Sequence, residues 1–267
     1  MKNKLEPILL QKKREVALLY QYLKQHTNHP IEKVLHGELP FRNLANFKNA
    51  LQSSSLAIIA EIKRKSPSKG YIASIEDPMD LAEQYISGGA NALSILTDKE
   101  FFGGHIDDLA KVANSIPNQS VPILRKDFII DPVQIAEAAV YGASAVLLIV
   151  SALGEKTKAL LEFAHSIKID VLVEIHDKDE LKIALDSGAN IIGINNRNLN
   201  TFRVNTACAM ELISDIPPAI IKVAESGIVD PLLARKYYEA GFNAVLIGEA
   251  LVKSNDPKQF IRACRHA

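Results

Sequence analysis

Short apolar runs recur along the chain, and each is followed by a stretch with the three-to-four-residue spacing of an amphipathic helix. The runs are Leu56–Lys63, Ala92–Thr97, Val121–Lys126, Ala145–Val150, Asp170–Ile175, Ile191–Asn196, Ala219–Ala224 and Asn243–Ile247. Their starts lie 21 to 36 residues apart, room for strand, loop and helix each time, which is the βα unit of a parallel sheet. The runs are apolar on both faces, most plainly Ala145-Val146-Leu147-Leu148-Ile149-Val150, as expected where helices cover one side and side chains fill the other. The pattern predicts helices over Pro78–Ser87, Ile106–Ser115, Pro132–Tyr141, Glu155–Ser166, Lys178–Asp186, Thr206–Ile213, Pro231–Ala240 and Pro257–Cys264. Four of these open on Asp-Pro (Asp77, Asp131, Asp230 and Asp256), an N-cap followed by proline at the first helical position.

A weak repeat suggests how the units close. Gly89-Ala90-Asn91, Gly142-Ala143-Ser144, Gly188-Ala189-Asn190 and Gly241-Phe242-Asn243 each precede an apolar run, with glycines 53, 46 and 53 residues apart. The step is two βα units, so the repeat marks every second strand. An open sheet gives no reason for that alternation, and the expected fold is an α/β (β/α)8 TIM barrel. Residues 1–55 stand outside it as an N-terminal helical extension. Leu5, Ile8, Leu9, Val16, Leu19, Tyr20 and Leu23 form one helical stripe there, and Phe41–Leu51 a second short helix. Some 50 residues could not hold much core alone, so 1–267 is read as one domain, with the extension packed on a barrel formed by 56–267.

Composition narrows the function classes. Lysine plus arginine and aspartate plus glutamate both total 31, so the net charge is zero, which argues against a nucleic-acid partner. No apolar run approaches the length of a membrane span, and the first 25 residues do not resemble a signal peptide. Cys208 and Cys264 have no metal-type spacing and read as reduced thiols of a cytoplasmic protein. No metal site is expected. There is no tryptophan.

In a barrel of this kind the active site lies at the C-terminal ends of the strands. Glu61 and Lys63 share one face of the first strand, Lys126 and Phe128 one face at the end of the third, and Asn195 and Arg197 one face at the end of the sixth. Glu174 is the only carboxylate in the apolar fifth run after its first residue. A helix-covered exterior would not accept such charges, so they are expected to point inward. Each taken singly is open to reading as a structural ion pair; four strand ends carrying Glu, Lys, Lys, Glu, Asn and Arg point to a site. Lysines and carboxylates in one low-dielectric mouth can divide into acid and base roles. A pocket lysine such as Lys126 is expected to contribute little to stability. After the seventh and eighth strands, Ser226-Gly227 and Gly248-Glu249 stand where such barrels bind phosphate through backbone N–H groups. The loop Arg64–Gly70 is basic and turn-rich and reads as a lid, with Lys65 and Ser66 near an anionic substrate.

At these residues the chain resembles the indole-3-glycerol phosphate synthase family. The resemblance runs through Ile59-Ala60-Glu61-Ile62-Lys63-Arg64-Lys65-Ser66-Pro67-Ser68, Leu96-Thr97-Asp98, Phe101-Phe102-Gly103-Gly104 and Leu124-Arg125-Lys126-Asp127-Phe128. It continues in Val173-Glu174, Gly193-Ile194-Asn195-Asn196-Arg197-Asn198-Leu199, Glu225-Ser226-Gly227-Ile228 and Ile247-Gly248-Glu249-Ala250-Leu251. Ala224 and Val204-Asn205 depart from the family's more frequent Ser and Val-Asp, at positions that carry no catalytic group in it.

The resemblance implies a tryptophan-pathway lyase that closes, decarboxylates and dehydrates 1-(2-carboxyphenylamino)-1-deoxyribulose 5-phosphate without a cofactor. Glu61, Lys63, Lys126, Glu174 and Asn195 would then be catalytic, with Lys126 the acid that polarises the ketone. Glu61 and Glu174 are candidates for the base, and Lys63 for a second acid. Lys65, Ser66, Phe128, Arg197, Ser226, Gly227, Gly248 and Glu249 would bind substrate. The family's extension packs over the barrel mouth. The expected partner is the phosphorylated small molecule alone, with neither nucleic acid nor membrane, and the expected state a monomer. A phosphoribosylanthranilate isomerase would need a cysteine at a strand end, which neither Cys208 nor Cys264 provides. A catalytically silent barrel serving as a partner subunit does not fit the complete set of charged residues.

Overall fold

A computed structural model describes residues 4–38, 45–67, 70–117 and 120–265. Eight parallel strands close a barrel: β1 (Ala57–Ile62), β2 (Ala92–Leu96), β3 (Ile123–Lys126), β4 (Ala145–Ile149), β5 (Asp170–Ile175), β6 (Ile191–Asn195), β7 (Ile221–Glu225) and β8 (Ala244–Ile247). They pair in chain order, and β1 meets β8 from Ala57↔Ala244 to Ala60↔Ile247. Alternation within each strand sorts side chains into two layers. Ala57, Ile59, Ala92, Leu124, Leu147, Leu172, Ile191, Val223 and Leu246 fill the interior. Their sequence neighbours Ile58, Leu93, Ile123, Val146, Val171, Ile192, Ala224 and Val245 pack beneath the helices.

The even-strand repeat has a hydrogen-bonding cause. Asn91 Oδ1 accepts from the Ile58 N–H at 3.1 Å, Ser144 Oγ from Ile123 N–H at 3.4 Å and Asn243 Oδ1 from Lys222 N–H at 2.9 Å. Each polar side chain enters just before an even strand and extends the ladder of the odd strand beside it. Asn190, the fourth, differs: its side-chain oxygen makes no such bond. The Asp-Pro signals are all caps. Asp77, Asp131, Asp230 and Asp256 accept from backbone N–H groups two or three residues on, at 2.8–2.9 Å.

The extension forms α1 (Leu5–Gln25), α2 (Pro30–Leu35) and α3 (Phe47–Leu51), of which α2 was not anticipated. The second expected helix starts later than Phe41, capped by Asn46, whose Oδ1 accepts from Asn49 N–H at 2.6 Å; residues 41–44 lie outside the described ones. These helices do not all sit at the mouth. At the top, Lys12 of α1 is buried against Asp98 and Asp127, which follow β2 and β3, at 2.8 Å each. At the opposite end, Phe47 and Leu51 of α3 pack into the interior cluster, and Lys48 N–H donates to Asp170 at the start of β5. The extension thus grips both ends of the barrel.

Three other departures concern the mouth. Short helices follow β2, β4 and β8 at Lys99–Phe102, Val150–Leu153 and Glu249–Lys253. The segment expected as a lid folds back on itself, Lys65–Ser66 pairing antiparallel with Gly70–Tyr71, and the Arg64 guanidinium ties its base to both carboxylate oxygens of Asp108. The barrel exterior does accept a charge: Arg125 is buried beneath helix Pro132–Tyr141, because Glu137 at 2.7 Å and Asp127 at 3.3 Å neutralise it.

Candidate active site

Above its apolar layers, the interior face of the barrel turns polar. Glu61 follows Ile59 on that face, Lys126 follows Leu124, Glu174 follows Leu172, and Glu225 follows Val223. These side chains meet in a cavity of about 630 Å³, a size suited to a small phosphorylated substrate. Glu61, Lys63, Ser66, Lys126, Phe128, Glu174, Asn195, Arg197, Ser226, Gly227, Gly248 and Glu249 all line it. Lys65 does not: its ammonium donates to the Glu100 carbonyl, beside Gly103, which draws it away from the cavity.

Lys126 stands at the centre, its ammonium 3.2 Å from Glu174 and 3.5 Å from Glu225. It is nearly covered and paired, which argues against the expectation that it contributes little to stability: its removal would strand the buried Glu174 carboxylate. Lys63, just past the end of β1, pairs with Glu61 two residues before it. Gly248 makes room for that pair, since a Cβ there would collide with the Glu61 carboxylate. Gly193 does the same for Glu225. Asn195 Oδ1 accepts from the Arg197 N–H at 2.9 Å, and the Arg197 guanidinium donates to the Phe202 carbonyl at 3.2 Å.

The cavity has two unlike flanks. Phe102 and Phe128, with ring centroids 6.0 Å apart, join Leu147, Ile149, Leu199 and Phe202 in an apolar wall suited to an aromatic ring. Opposite stand Ser226, Gly227, Gly248, Glu249 and Lys253. Ser226 and Gly227 both have positive φ, 65° and 80°, a turn that only the second residue adopts without strain. Among the described residues, no group of His, Cys, Asp and Glu could hold a metal ion, and no helix is long and apolar enough to cross a membrane.

A family model described as indole-3-glycerol phosphate synthase matches residues 5–264. The chain belongs to the indole-3-glycerol phosphate synthase family. Curated relatives of that name agree. One from Bacteroides thetaiotaomicron is 41% identical over 98% of this chain and 97% of its own. One from Chloroherpeton thalassium is 44% identical over 94% and 95%, and one from Mycolicibacterium gilvum 45% over 79% and 77%. Among solved structures, 3-hexulose-6-phosphate synthase from Salmonella typhimurium superposes with a TM-score of 0.64 at 12% identity, over 79% of this chain and 97% of that one. Thiamine phosphate pyrophosphorylase from Pyrococcus furiosus gives 0.61 at 15%, over 83% and 96%. At those identities the likeness speaks for the barrel alone.

The electrostatics separate the carboxylates of this synthase-family site. Burial and the neighbouring Glu174 and Glu61 push Glu225 up to about 8 despite Lys126, so it holds a proton at neutral pH. Glu174 lies below its ordinary range: burial works against its charge, but Lys126, His176 and a hydrogen bond from Asn195 prevail. Lys126 is held well above the usual lysine range, because Glu174, Glu225 and Glu61 outweigh its burial. Glu225 was missed as a site residue because the seventh strand was expected to end at Ala224. The turn at Pro217–Ile220, closed by the Ile220 N–H on the Pro217 carbonyl, delays the strand and carries it to Glu225. The alternation Ile221, Val223, Glu225 was the available signal.

Proposed function

We propose that Lys126, Lys63 and Glu174 carry the proton transfers by which this chain converts 1-(2-carboxyphenylamino)-1-deoxyribulose 5-phosphate to indole-3-glycerol phosphate, carbon dioxide and water. The conversion follows from family membership, which makes the chain a carbon–carbon lyase of tryptophan biosynthesis. The division of labour is our reading of the site. What carries it is the Lys126 ammonium, 3.2 Å from Glu174 and 3.5 Å from Glu225, in a cavity with one apolar and one glycine-rich flank.

In this reading the anthranilate ring lies against Phe128 and Phe102, and the phosphate meets the backbone N–H groups around Ser226–Gly227 and Gly248–Glu249. Arg197 offers its fork to the carboxylate, with Asn195 and Ser66 positioning the rest. The ring carbon bearing the carboxylate attacks the ketone carbon, and the C=O electron pair moves to oxygen. Lys126 stabilises that oxygen as a charged donor and then hands it a proton, giving the hydroxyl. Carbon dioxide then leaves, its bonding electrons restoring the ring. Finally Lys63 protonates the departing hydroxyl while Glu174, already ionised, takes the proton from the neighbouring carbon, giving the indole double bond and water. Glu61 holds Lys63 in place.

This chemistry needs acids, a base and a fixed cation, so the reading includes no cofactor. It also takes the chain as a cytoplasmic monomer, since one chain supplies every group named. The test is to incubate the protein with the substrate and follow the fluorescence of the indole product, for the native chain and for Glu174→Gln. Turnover is expected in the first and its loss in the second. No product at saturating substrate would favour a catalytically silent barrel acting as a partner subunit.

A further inference from the structure

Behind Glu174 stands a histidine that the reaction above does not use. His176 directly follows β5 and does not line the cavity. The next helix, Lys178–Asp186, fixes it. Asp177 caps that helix by accepting from the Glu180 N–H at 2.9 Å, and the Glu180 carboxylate reaches back to accept from the His176 backbone N–H at 2.8 Å. This is a capping box whose return bond goes to the residue before the cap. The same Glu180 oxygen lies 3.0 Å from His176 Nδ1. An ionised carboxylate only accepts, so Nδ1 carries a hydrogen.

The other ring nitrogen, Nε2, faces Glu174 Oε1 at 3.6 Å. Both atoms are buried, and neither is hydrogen-bonded among the described residues. A neutral ring with its hydrogen on Nδ1 would aim a lone pair at the carboxylate's lone pair, a repulsive arrangement where water cannot intervene. A proton on Nε2 removes the conflict and sets a positive ring against Oε1.

The charged and titratable surroundings favour that form. Glu174 faces the ring from its own strand, Glu180 from the following helix and Glu225 from β7, with Lys126 of β3 beyond Glu174. From helix Ala207–Leu212, the Cys208 thiol donates to the His176 carbonyl at 3.2 Å. Burial disfavours a charged imidazole, yet Glu180 and Glu174 raise its proton affinity above the ordinary histidine range.

We propose that His176, an imidazolium anchored by Glu180, is a positioning residue whose Nε2–H forms an ion pair with Glu174 Oε1 at 3.6 Å and so keeps that carboxylate charged, with Oε2 turned toward Lys126 and the substrate. The proposal rests on the reading of Glu174 as the base. It gives Glu174 a cation on each oxygen, so the group stays ionised to lower pH than Lys126 alone would hold it. When Oε2 takes the substrate proton, the imidazolium keeps its own proton and its place beside Oε1.

The test compares kcat and KM across pH for the native protein, His176→Ala, His176→Gln and Glu174→Gln, and follows 15N-labelled histidine by NMR. His176→Ala should lower kcat about 10- to 100-fold with KM within about threefold, and raise the acid limb of the kcat profile by about one pH unit. His176→Gln keeps an N–H donor without the charge. It should recover kcat to within about fivefold while its acid limb stays displaced, and it serves if the alanine variant fails to fold. In the native protein the His176 ring should be doubly protonated at neutral pH, and Glu174→Gln should lower its titration point. Acid limbs unchanged in the histidine variants, with turnover lost in Glu174→Gln, would overturn this proposal alone, as would a neutral His176 ring in the native protein. Near-native turnover by Glu174→Gln would refute Glu174 as the base, and the proposal with it.

Discussion

Replacing Lys126 with methionine keeps the reach of the side chain and removes the charge that Glu174 and Glu225 face. At 3.2 and 3.5 Å, each full ionic attraction amounts to about 5 kcal/mol at an effective dielectric of about 20. Only the contact with Glu174 counts in full at neutral pH, because Glu225, pushed up to about 8, holds a proton there. The variant no longer has to desolvate an ammonium, which offsets part of the loss. The net destabilisation expected at about pH 7 is therefore about 3 kcal/mol, in the range for stripping one partner from a buried pair. At about pH 5 the stranded Glu174 can take up a proton, and the loss should shrink to about 1 kcal/mol. The sign follows from linkage. Native Glu174 sits below its unfolded value and adds stability above that value. In the variant it sits above, so the folded state holds an extra proton and loses stability as pH rises. Urea unfolding of both proteins at the two pH values measures this directly. Turnover should fall about a thousandfold, read from indole fluorescence against a chain that contains no tryptophan. Equal destabilisation at both pH values, or turnover within about tenfold of native, would refute the reasoning.

Arg197→Ala should raise KM at least about tenfold with a smaller change in kcat, and steady-state kinetics with an unchanged KM would remove its binding role. Glu225→Gln should flatten the pH dependence of stability: native Glu225 rises from 4.5 to about 8 on folding, so stability falls through that window by about 1.4 kcal/mol per pH unit, a slope the amide cannot produce. Denaturant titrations between those limits that show equal slopes would contradict this. Gly248→Ala places a Cβ against the Glu61–Lys63 pair and should cut kcat at least about tenfold while thermal unfolding stays cooperative; native turnover would show that the pair tolerates displacement.

The barrel was legible because its information is local. Strand and helix periods, Asp-Pro caps and the polar residue before three of the four even strands all act within a few residues or on the adjacent strand, and every expected strand formed, some with ends one or two residues off. Alternation put Glu61, Lys126 and Asn195 on shared faces, and Glu174 stood out as the lone carboxylate after the first residue of its run. The exclusion of charges from beneath the helices turned all four inward, where they line the cavity. What escaped depended on distant partners. Lys12 reads as one more charge in a basic helical turn, and only the fold brings Asp98 and Asp127 to it. Arg125 was hidden by the assumption that no charge lies beneath the helices, whereas Glu137 on the covering helix neutralises it. Lys65 was grouped with the anion-binding residues by its basic neighbours, and the folded loop turns it to a backbone carbonyl instead. Glu225 was lost to a strand end placed one residue short.

Closure of the barrel between β1 and β8 sets a schedule for synthesis. β1 finds β2 within some 35 residues, but its other neighbour begins at Ala244, which leaves the ribosome 187 residues after Ala57. At about 5–20 residues per second that interval is about 10 to 40 seconds. For that time one edge of an apolar strand, Ala-Ile-Ile-Ala, is without its permanent neighbour in the nascent chain. The extension emerges before any of its partners. Phe47 and Leu51 then lie next to β1 in sequence, ready to fold onto its apolar face as soon as β2 appears, while Lys12 waits for Asp98 and Asp127. The extension that grips both ends of the finished barrel thus also lies beside its first pair of parallel strands while the rest is made.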